Sequence, residues 1–404
     1  MYCRKSCTSD TSKKKTKEQL LIDRRLALLL PLVAVSGCTS LSDFFGTAPN
    51  KRPPTVVAAP AGERPVENPI AANHFVLASP GQAVVGEPQI VLATRDDTLS
   101  DIARAYGLGY DELIAANPDV NPWLPGENTP VLLPTQFIIP DVEREGIVLN
   151  IASKRLFYFP PEADGQPAAV MTFPIGIGRV GWETPLGDTT VTAKARDPHW
   201  YVPLSVRQEH AEMGDPLPAI VPPGPENPLG HRVLQLAMPG YLIHGTNQPY
   251  GVGMRVSHGC VRLYPENIES LYELVDIGER VTIVNEPYLM AQHDGDWYFE
   301  AHVPLEDDTI SAEDRFDELL ELRNAESDSG FSGRDIDDAR AVAEAAVGMP
   351  TRLGLDGAEA YARARRVHNI VEPDSDAPTL AEVREMIDAA VREAGEAQTE
   401  PAVQ

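Results

Sequence analysis

The feature that most constrains the fold is a series of short apolar segments between residues 146 and 284, separated by turn residues. They read as strands at 147–151, 155–159, 170–175, 189–193, 233–236, 241–244 and 281–284. One helical pattern interrupts them, with Pro265 at its start and Gly278 just past its end. Short antiparallel strands around one core, with one main helix, predict an α+β domain dominated by β-sheet.

A smaller unit precedes this domain, at residues 88–134. An apolar strand at 90–93 is followed by a helix for which Asp97 is the predicted N-cap. A second helix, at 110–116, ends at an Asn-Pro pair, and residues 130–133 form a closing strand. The sequence therefore predicts a compact strand-helix-helix-strand unit.

The N-terminus reads as an export signal. Residues 1–25 are polar and basic, and the apolar run at 26–35 is shorter than the ~20 residues needed to span a bilayer. Small residues lead up to Cys38, which resembles the bacterial lipobox, in which the chain is cleaved before a cysteine that is then lipidated. We therefore expect a signal peptide at 1–37 and a lipidated Cys38; the alternative is an N-terminal helix with a buried cysteine.

Residues 38–72 are rich in proline and alanine and predict an extended spacer behind the lipid anchor. Thr39 stands where lipoproteins of this kind carry Asp if they are retained at the inner membrane. We expect the protein on the periplasmic side of the outer membrane of a Gram-negative envelope, attached to it by the lipid.

Charge is distributed unevenly along the chain. The formal net charge is −26, which argues against a nucleic-acid partner. Residues 286–404 hold 29 acidic residues against 10 arginines, so most of the excess lies there. Amphipathic stripes run through Phe316, Ile336 and Leu380. They predict a mostly helical acidic extension at 287–404, which either packs on the preceding sheet-rich domain or serves as a partner-binding module.

Cys260 is the candidate nucleophile. Cys3 and Cys7 lie in the predicted signal peptide and Cys38 would carry lipid, so the mature chain has one free thiol. A lone cysteine with histidines nearby in an exported protein points to thiol catalysis. Because a free thiol is only partly ionised at neutral pH, an imidazole must take its proton.

Two histidines could act as that base. His258 lies two residues before Cys260, and His244 ends a strand that could pair alongside. Gly259 permits close approach of a substrate, and the amides of Gly259 and Cys260 are candidate oxyanion donors. Arg262 could hold a substrate carboxylate through two hydrogen bonds, or be a surface ion-pair partner.

Two other uses of Cys260 are a zinc site and a buried structural thiol. Zinc takes four protein ligands, or three with water, and only His258 and Cys260 are close in sequence. We therefore predict no metal and no cofactor.

The residues at 244–246 (HGT) and 257–263 (SHGCVRL) resemble the signature of L,D-transpeptidases with a YkuD-type catalytic domain. The similarity extends to 184–187 (TPLG) and 145–151 (EGIVLNI). The smaller unit resembles a LysM domain, through DTL at 97–99, ANP at 116–118 and PG at 125–126. The layout is similar to that of the enterobacterial enzymes that attach Braun's lipoprotein to peptidoglycan.

The resemblance implies a LysM-like peptidoglycan-binding domain at 73–140 and a β-sandwich catalytic domain at 144–286. It implies that Cys260 attacks the diaminopimelate carbonyl of a tetrapeptide stem, releases D-Ala and forms a thioester. His244 would be the base, oriented by the backbone carbonyl of Gly245, with His258 in an auxiliary role. The residues implied to line the substrate site are Ser257, Thr246 and Arg262.

The acceptor of the acyl group stays open. It could be a lysine of an outer-membrane protein or lipoprotein, the amine of a second diaminopimelate, or water, which would make the enzyme an L,D-carboxypeptidase. An alternative of another class is a non-catalytic lipoprotein that binds peptidoglycan. The intact set of cysteine and histidines favours the enzyme.

Overall fold

The structure is a computed structural model. It describes residues 65–161, 167–327, 330–354 and 362–372. The predicted signal peptide, Cys38, most of the spacer and the stripe at Leu380 lie outside the described residues. Within the described ranges, no helix combines the length and the apolar character needed to cross a membrane.

The first region has the predicted strand-helix-helix-strand order. Its elements are β1 (His74–Val76), β2 (Val84–Gly86), β3 (Gln89–Leu92), α1 (Leu99–Ala105), α2 (Tyr110–Ala116), β4 (Pro130–Leu133) and β5 (Gln136–Ile138). Strand β3 pairs antiparallel with β4, and β2 with β5. Leu99, Ile102 and Leu113 are fully buried, so the apolar faces of both helices supply the core.

The cap of α1 differs from the prediction. Thr98, not Asp97, is the N-cap: its hydroxyl accepts from the Asp101 amide, and the Asp101 carboxylate accepts from the Thr98 amide. This reciprocal pair fixes the first turn one residue later than expected. Asp97 instead accepts from the amide and hydroxyl of Thr94, both at 2.7 Å.

The second region is built around a mixed sheet and begins at residue 146. Its elements are β6 (Gly146–Asn150), β7 (Arg155–Phe159), β8 (Ala169–Pro174), β9 (Ile177–Gly178), β10 (Gly187–Arg196), β11 (Trp200–Tyr201), α3 (Leu204–Glu212), β12 (Ile220–Val221), β13 (Arg232–Leu236), β14 (Leu242–His244), β15 (Arg255–Ser257), β16 (Val261–Arg262), α4 (Pro265–Leu274) and β17 (Arg280–Val284). The main sheet has the order β1-β8-β7-β6-β17-β10-β13-β14-β16. Its pairs are antiparallel except β6 with β17 and β14 with β16. The predicted α+β, mainly antiparallel class is confirmed.

One face of this sheet packs against α4. Ile268 and Leu271 of the helix and Ile243 and Val261 of the strands are at most 1% exposed and share one core. Burying an aliphatic side chain of this size contributes about 1.5–3 kcal/mol. The core therefore fixes β14 and β16, which carry the candidate catalytic residues.

The excursion between β10 and β13 was not predicted as structured. It holds α3 and the two-stranded pair β11 and β12. Val206 is the one buried residue of α3, and Leu204 at its start is 60% exposed. Without an apolar stripe, the helix leaves no periodic signal in the sequence.

The C-terminal extension has its own small core. Its elements are β18 (Tyr288–His293), β19 (Asp296–Ala301), α5 (Ala312–Glu326), α6 (Gly333–Ala345), β20 (Thr351–Arg352) and β21 (Arg365–Arg366). Phe299, Phe316 and Ala339 pack where the helices cover the sheet β18-β19-β20. Strand β21 pairs in parallel with β3, so the end of the described chain packs on the LysM-like region.

Candidate active site

The pairing of two short strands brings the candidate residues together. In the parallel pair β14 and β16, Ile243 lies opposite Val261 and His244 opposite Arg262. Ile243 and Val261 enter the core, and neighbouring residues of a strand point to opposite faces. His244, Arg262 and Cys260, which immediately precedes β16, therefore share the other face.

His244 is held by the backbone. Its side chain is buried, and Nδ1 lies 2.6 Å from the carbonyl oxygen of Gly245. Because a carbonyl oxygen only accepts, Nδ1 is assigned the proton, which leaves Nε2 unprotonated in the neutral ring. Burial and the charge of Arg262 lower the pKa of His244 to about 3, against the carbonyl groups of Gly245 and Leu229, which raise it. The imidazole is neutral at pH 7.

Cys260 is half-buried. Its Sγ lies 3.6 Å from the carbonyl oxygen of Gly240. Burial raises the pKa of the Cys260 thiol, against the Leu242 backbone and the charge of Arg262, which lower it. Because both shifts disfavour the charged forms, Cys260 and His244 form a neutral thiol and a neutral imidazole at rest.

The turn before Cys260 needs glycine. Gly259 has φ +97°, and a Cβ there would lie 2.9 Å from Cε1 of Tyr241. Its carbonyl oxygen accepts from the Thr184 hydroxyl at 3.0 Å, which fixes the direction of the next peptide. Thr184 lies in the upstream TPLG segment, so that segment supports the turn.

Ser257 and Thr246 are both buried. The Ser257 hydroxyl donates to the carbonyl oxygen of Cys260, and the Thr246 hydroxyl accepts from the Gln248 amide. Both hydroxyls thus brace the backbone of the loop in the structure. Substrate contact by either residue stays a prediction.

Arg262 is a cation beside the thiol. Burial lowers the pKa of its guanidinium, against the neighbouring Cys260 and Tyr250, which raise it. Its Nε is buried and has no hydrogen-bond partner among the described residues. The guanidinium is thus placed to receive an anionic group of a ligand.

His258 lies in a different setting, made of side chains. Its Nε2 is 2.8 Å from Oε2 of Glu209 and 3.1 Å from the guanidinium of Arg179, which also pairs with Glu209. The Trp182 ring meets the imidazole edge to face at 4.8 Å. Burial lowers the pKa of His258, and Glu209 opposes that shift.

Sequence reasoning missed Glu209, Arg179 and Trp182. Glu209 lies on α3, which left no periodic signal, and is 49 residues from His258 in the chain. No local motif could have joined them. Among the described residues, no group of three or more His, Cys, Asp and Glu side chains could hold a metal ion.

Comparison with known proteins matches a family model described as the L,D-transpeptidase catalytic domain to residues 144–283, and a LysM domain model to residues 94–122. The chain is 40% identical over 243 residues to the probable L,D-transpeptidase YcfS of Escherichia coli K12, covering 59% of this chain and 75% of that protein. It is 38% identical over 292 residues to the probable L,D-transpeptidase YbiS of the same strain, covering 70% and 92%. It is 36% identical over 297 residues to the probable L,D-transpeptidase ErfK/SrfK of Salmonella typhimurium LT2, covering 70% and 94%.

These relatives match over most of their own length, and the catalytic-domain model spans both His244 and Cys260. The chain therefore belongs to the YkuD-type L,D-transpeptidases, enzymes in which a cysteine is the usual nucleophile, and it carries a LysM domain.

Proposed function

We propose that this enzyme acylates itself with a peptidoglycan tetrapeptide stem and passes the acyl group to an amine. Cys260 Sγ attacks the diaminopimelate carbonyl while His244 takes the thiol proton. The C–N bond to D-Ala then breaks, the proton passes to the leaving amine, and a thioester remains. The acceptor amine attacks the thioester, gives up a proton and frees the thiol.

The observation that carries this proposal is the parallel register of β14 and β16. It puts Cys260 and His244 on one face, with His244 oriented by the Gly245 carbonyl. The neutral resting pair supports proton transfer during attack, rather than a preformed thiolate. The Gly245 and Leu229 carbonyl groups would stabilise the imidazolium that forms.

The remaining roles follow from the surroundings of the thiol. The amides of Gly259 and Cys260 would receive the developing oxyanion, and Arg262 would bind a carboxylate of the stem. The carboxylate of Glu209 contacts both His258 and the guanidinium of Arg179, and it is our candidate contact for an acceptor that arrives as an ammonium ion and exchanges with Arg179. We propose an amine acceptor rather than water, with a protein lysine or a second diaminopimelate as the amine.

We further propose that the mature enzyme is lipid-anchored through Cys38 on the periplasmic side of the outer membrane. The support is the apolar run before Cys38, together with the peptidoglycan-directed domains. Labelled palmitate incorporated by wild-type protein, and lost in Cys38→Ala, is the expected result; unlabelled wild-type protein would contradict it.

The test uses purified enzyme and disaccharide-tetrapeptide. Intact-mass spectrometry should detect a thioester adduct on wild-type protein and none on Cys260→Ala, with D-Ala released. Adding a lysine peptide or a diaminopimelate amine should convert the adduct to the matching amide. No adduct and no D-Ala from a reduced thiol would contradict the enzyme mechanism; free tripeptide alone would identify water as the acceptor.

A further inference from the structure

Two exposed aromatic residues, Trp123 and Tyr250, flank the contact between the LysM domain and the loop that precedes Cys260. Trp123, in the loop after α2, is 66% exposed, and its ring centroid lies 6.4 Å from that of half-buried Tyr110. The backbone amide of Tyr110 donates to the carbonyl oxygen of Val252, at 3.2 Å. Val252 lies two residues after Tyr250, which is 60% exposed.

Tyr250 lies in the loop that borders the candidate active site, between His244 and Cys260. The carbonyl oxygen of the next residue, Gly251, lies against Gly176, whose amide donates to the carbonyl oxygen of Arg262 at 2.8 Å. Arg262 lies two residues after Cys260, on the same face of β16. A series of neighbours thus leads from an exposed tryptophan of the LysM domain to the candidate nucleophile.

The junction between the two domains is tightly packed. A Cβ on Gly253 would lie 2.4 Å from the Tyr110 amide nitrogen and 2.5 Å from the Gly109 Cα, so only glycine fits. Beside it, Arg155 and Glu112 form an ion pair at 2.7 Å, with side chains only 2% and 7% exposed. These contacts hold the LysM domain and the active-site loop in one arrangement.

The chemistry of this surface suits a sugar chain. Exposed rings on rigid loops offer flat apolar faces to the C–H faces of pyranose rings, and exposed aromatic clusters mark binding sites. Asp119, in the loop after α2, adds negative charge, while Asp111 at the start of α2 is paired with Lys154 at 3.1 Å, so the surface offers a polyanion such as nucleic acid no excess of positive charge there. A neutral glycan meets no such repulsion.

We propose that Trp123, Tyr110 and Tyr250 form one glycan-binding surface that continues from the LysM domain to the mouth of the active site. One glycan strand would then lie across both domains and present its own stem to Cys260. The enzyme would select stems attached to polymeric glycan over stems on a single disaccharide, because the second contact becomes intramolecular. This inference rests on the proposed function and names the form of its substrate.

The test compares two donors: a disaccharide-tetrapeptide and soluble uncrosslinked glycan strands that carry tetrapeptide stems. The kcat/KM of wild-type enzyme, per stem, should be at least tenfold higher on the strands. In the double variant Trp123→Ala and Tyr250→Ala, this ratio should approach one. Tyr250→Phe should keep the ratio, since it keeps the ring. Ile277→Ala, which removes a 65% exposed apolar side chain from the turn after α4, is the matched control.

Two outcomes would overturn the glycan surface. One is a ratio that the double variant leaves unchanged. The other is an equal loss on both donors, which would assign the rings to the peptide stem or the acceptor. A second readout is independent of catalysis: pelleting with insoluble chitin, a neutral polymer of N-acetylglucosamine, should depend on Trp123 and Tyr250. If wild-type protein pellets in this way but releases no D-Ala, the result supports the glycan-binding surface and contradicts the proposed function.

Discussion

The two histidines on either side of the Cys260 turn are held in place by different kinds of contact. On one side, His244 is buried in a strand pair, and backbone carbonyl groups orient its ring. On the other side, His258 is half-exposed, and the side chains of Glu209, Arg179 and Trp182 surround it. The sheet itself positions His244. The connection between β10 and β13, which contains α3, supplies Glu209 to position His258.

This difference bears on what each histidine can do. A backbone-held imidazole keeps its orientation as long as β14 and β16 pair, which suits a base that must meet the thiol in one geometry. A ring nitrogen that contacts both a carboxylate and a guanidinium can donate to the first or accept from the second. His258 is therefore suited to adjusting the charge near the turn. Substitutions in α3 would alter the surroundings of His258 and leave His244 in place.

The largest expected effect concerns the two histidines themselves. His244→Gln should slow formation of the acyl-enzyme about 10³-fold, within the range of about 10² to 10⁴ for loss of a general base. His258→Gln should slow it no more than about tenfold, because it leaves the His244 pair intact. Stopped-flow acylation with a carbapenem, with the adduct checked by intact mass, measures both rates.

Comparable losses of acylation rate in His244→Gln and His258→Gln would contradict the different roles assigned to the two histidines. A larger loss in His258→Gln would make His258 the base and His244 a structural residue. Circular dichroism of both variants separates a chemical defect from unfolding.

The next effect is on stability. The folded-state pKa of His244, about 3, lies below its usual value of about 6.5, so the unfolded chain binds more protons between these limits. This contribution to stability is complete above pH 6.5 and is lost as the pH falls toward 3. From pH 7 to pH 5 the loss is about 2 kcal/mol.

Urea unfolding at pH 7 and pH 5 measures this loss. The fall in the free energy of unfolding should be about 2 kcal/mol smaller in His244→Gln than in the wild type. His258→Gln should keep most of the fall, because that side chain is partly solvated. An identical fall in wild type and His244→Gln would show that His244 titrates normally in the folded protein.

The contrast between the backbone-held His244 and the side-chain network around His258 also explains which parts of the site could be predicted from the sequence. The strand around Ile243, the helix after Pro265 and the proximity of His244 to Cys260 depend on local patterns and on two motif segments, so they were predictable. The two-residue strand β16 at Val261 was not predicted, because it is too short to leave a pattern. The network around His258 depends on Glu209, on a helix without an apolar stripe. Likewise, β21 pairs with β3 across a separation that no local pattern records. Long-range contacts made by polar or very short segments carry no periodic signal.

The smallest expected effect concerns the side-chain network around His258. Glu209→Gln removes the carboxylate that raises the pKa of His258, so that pKa should fall further below its usual range. Acylation should change less than threefold, whereas aminolysis of the thioester should slow about tenfold if Glu209 attracts an ammonium acceptor. NMR titration of the His258 ring and single-turnover transfer to a lysine peptide measure the two effects.

Glu212→Gln is the matched control, since it removes the same charge from the last residue of α3. If both variants slow aminolysis equally, the acceptor responds to the general negative charge of the helix and not to the His258 network. If Glu209→Gln slows acylation as much as aminolysis, Glu209 supports the first half of the reaction. The side-chain network would then belong with the backbone-held base in donor chemistry, and the two sides of the turn would differ in construction but not in task.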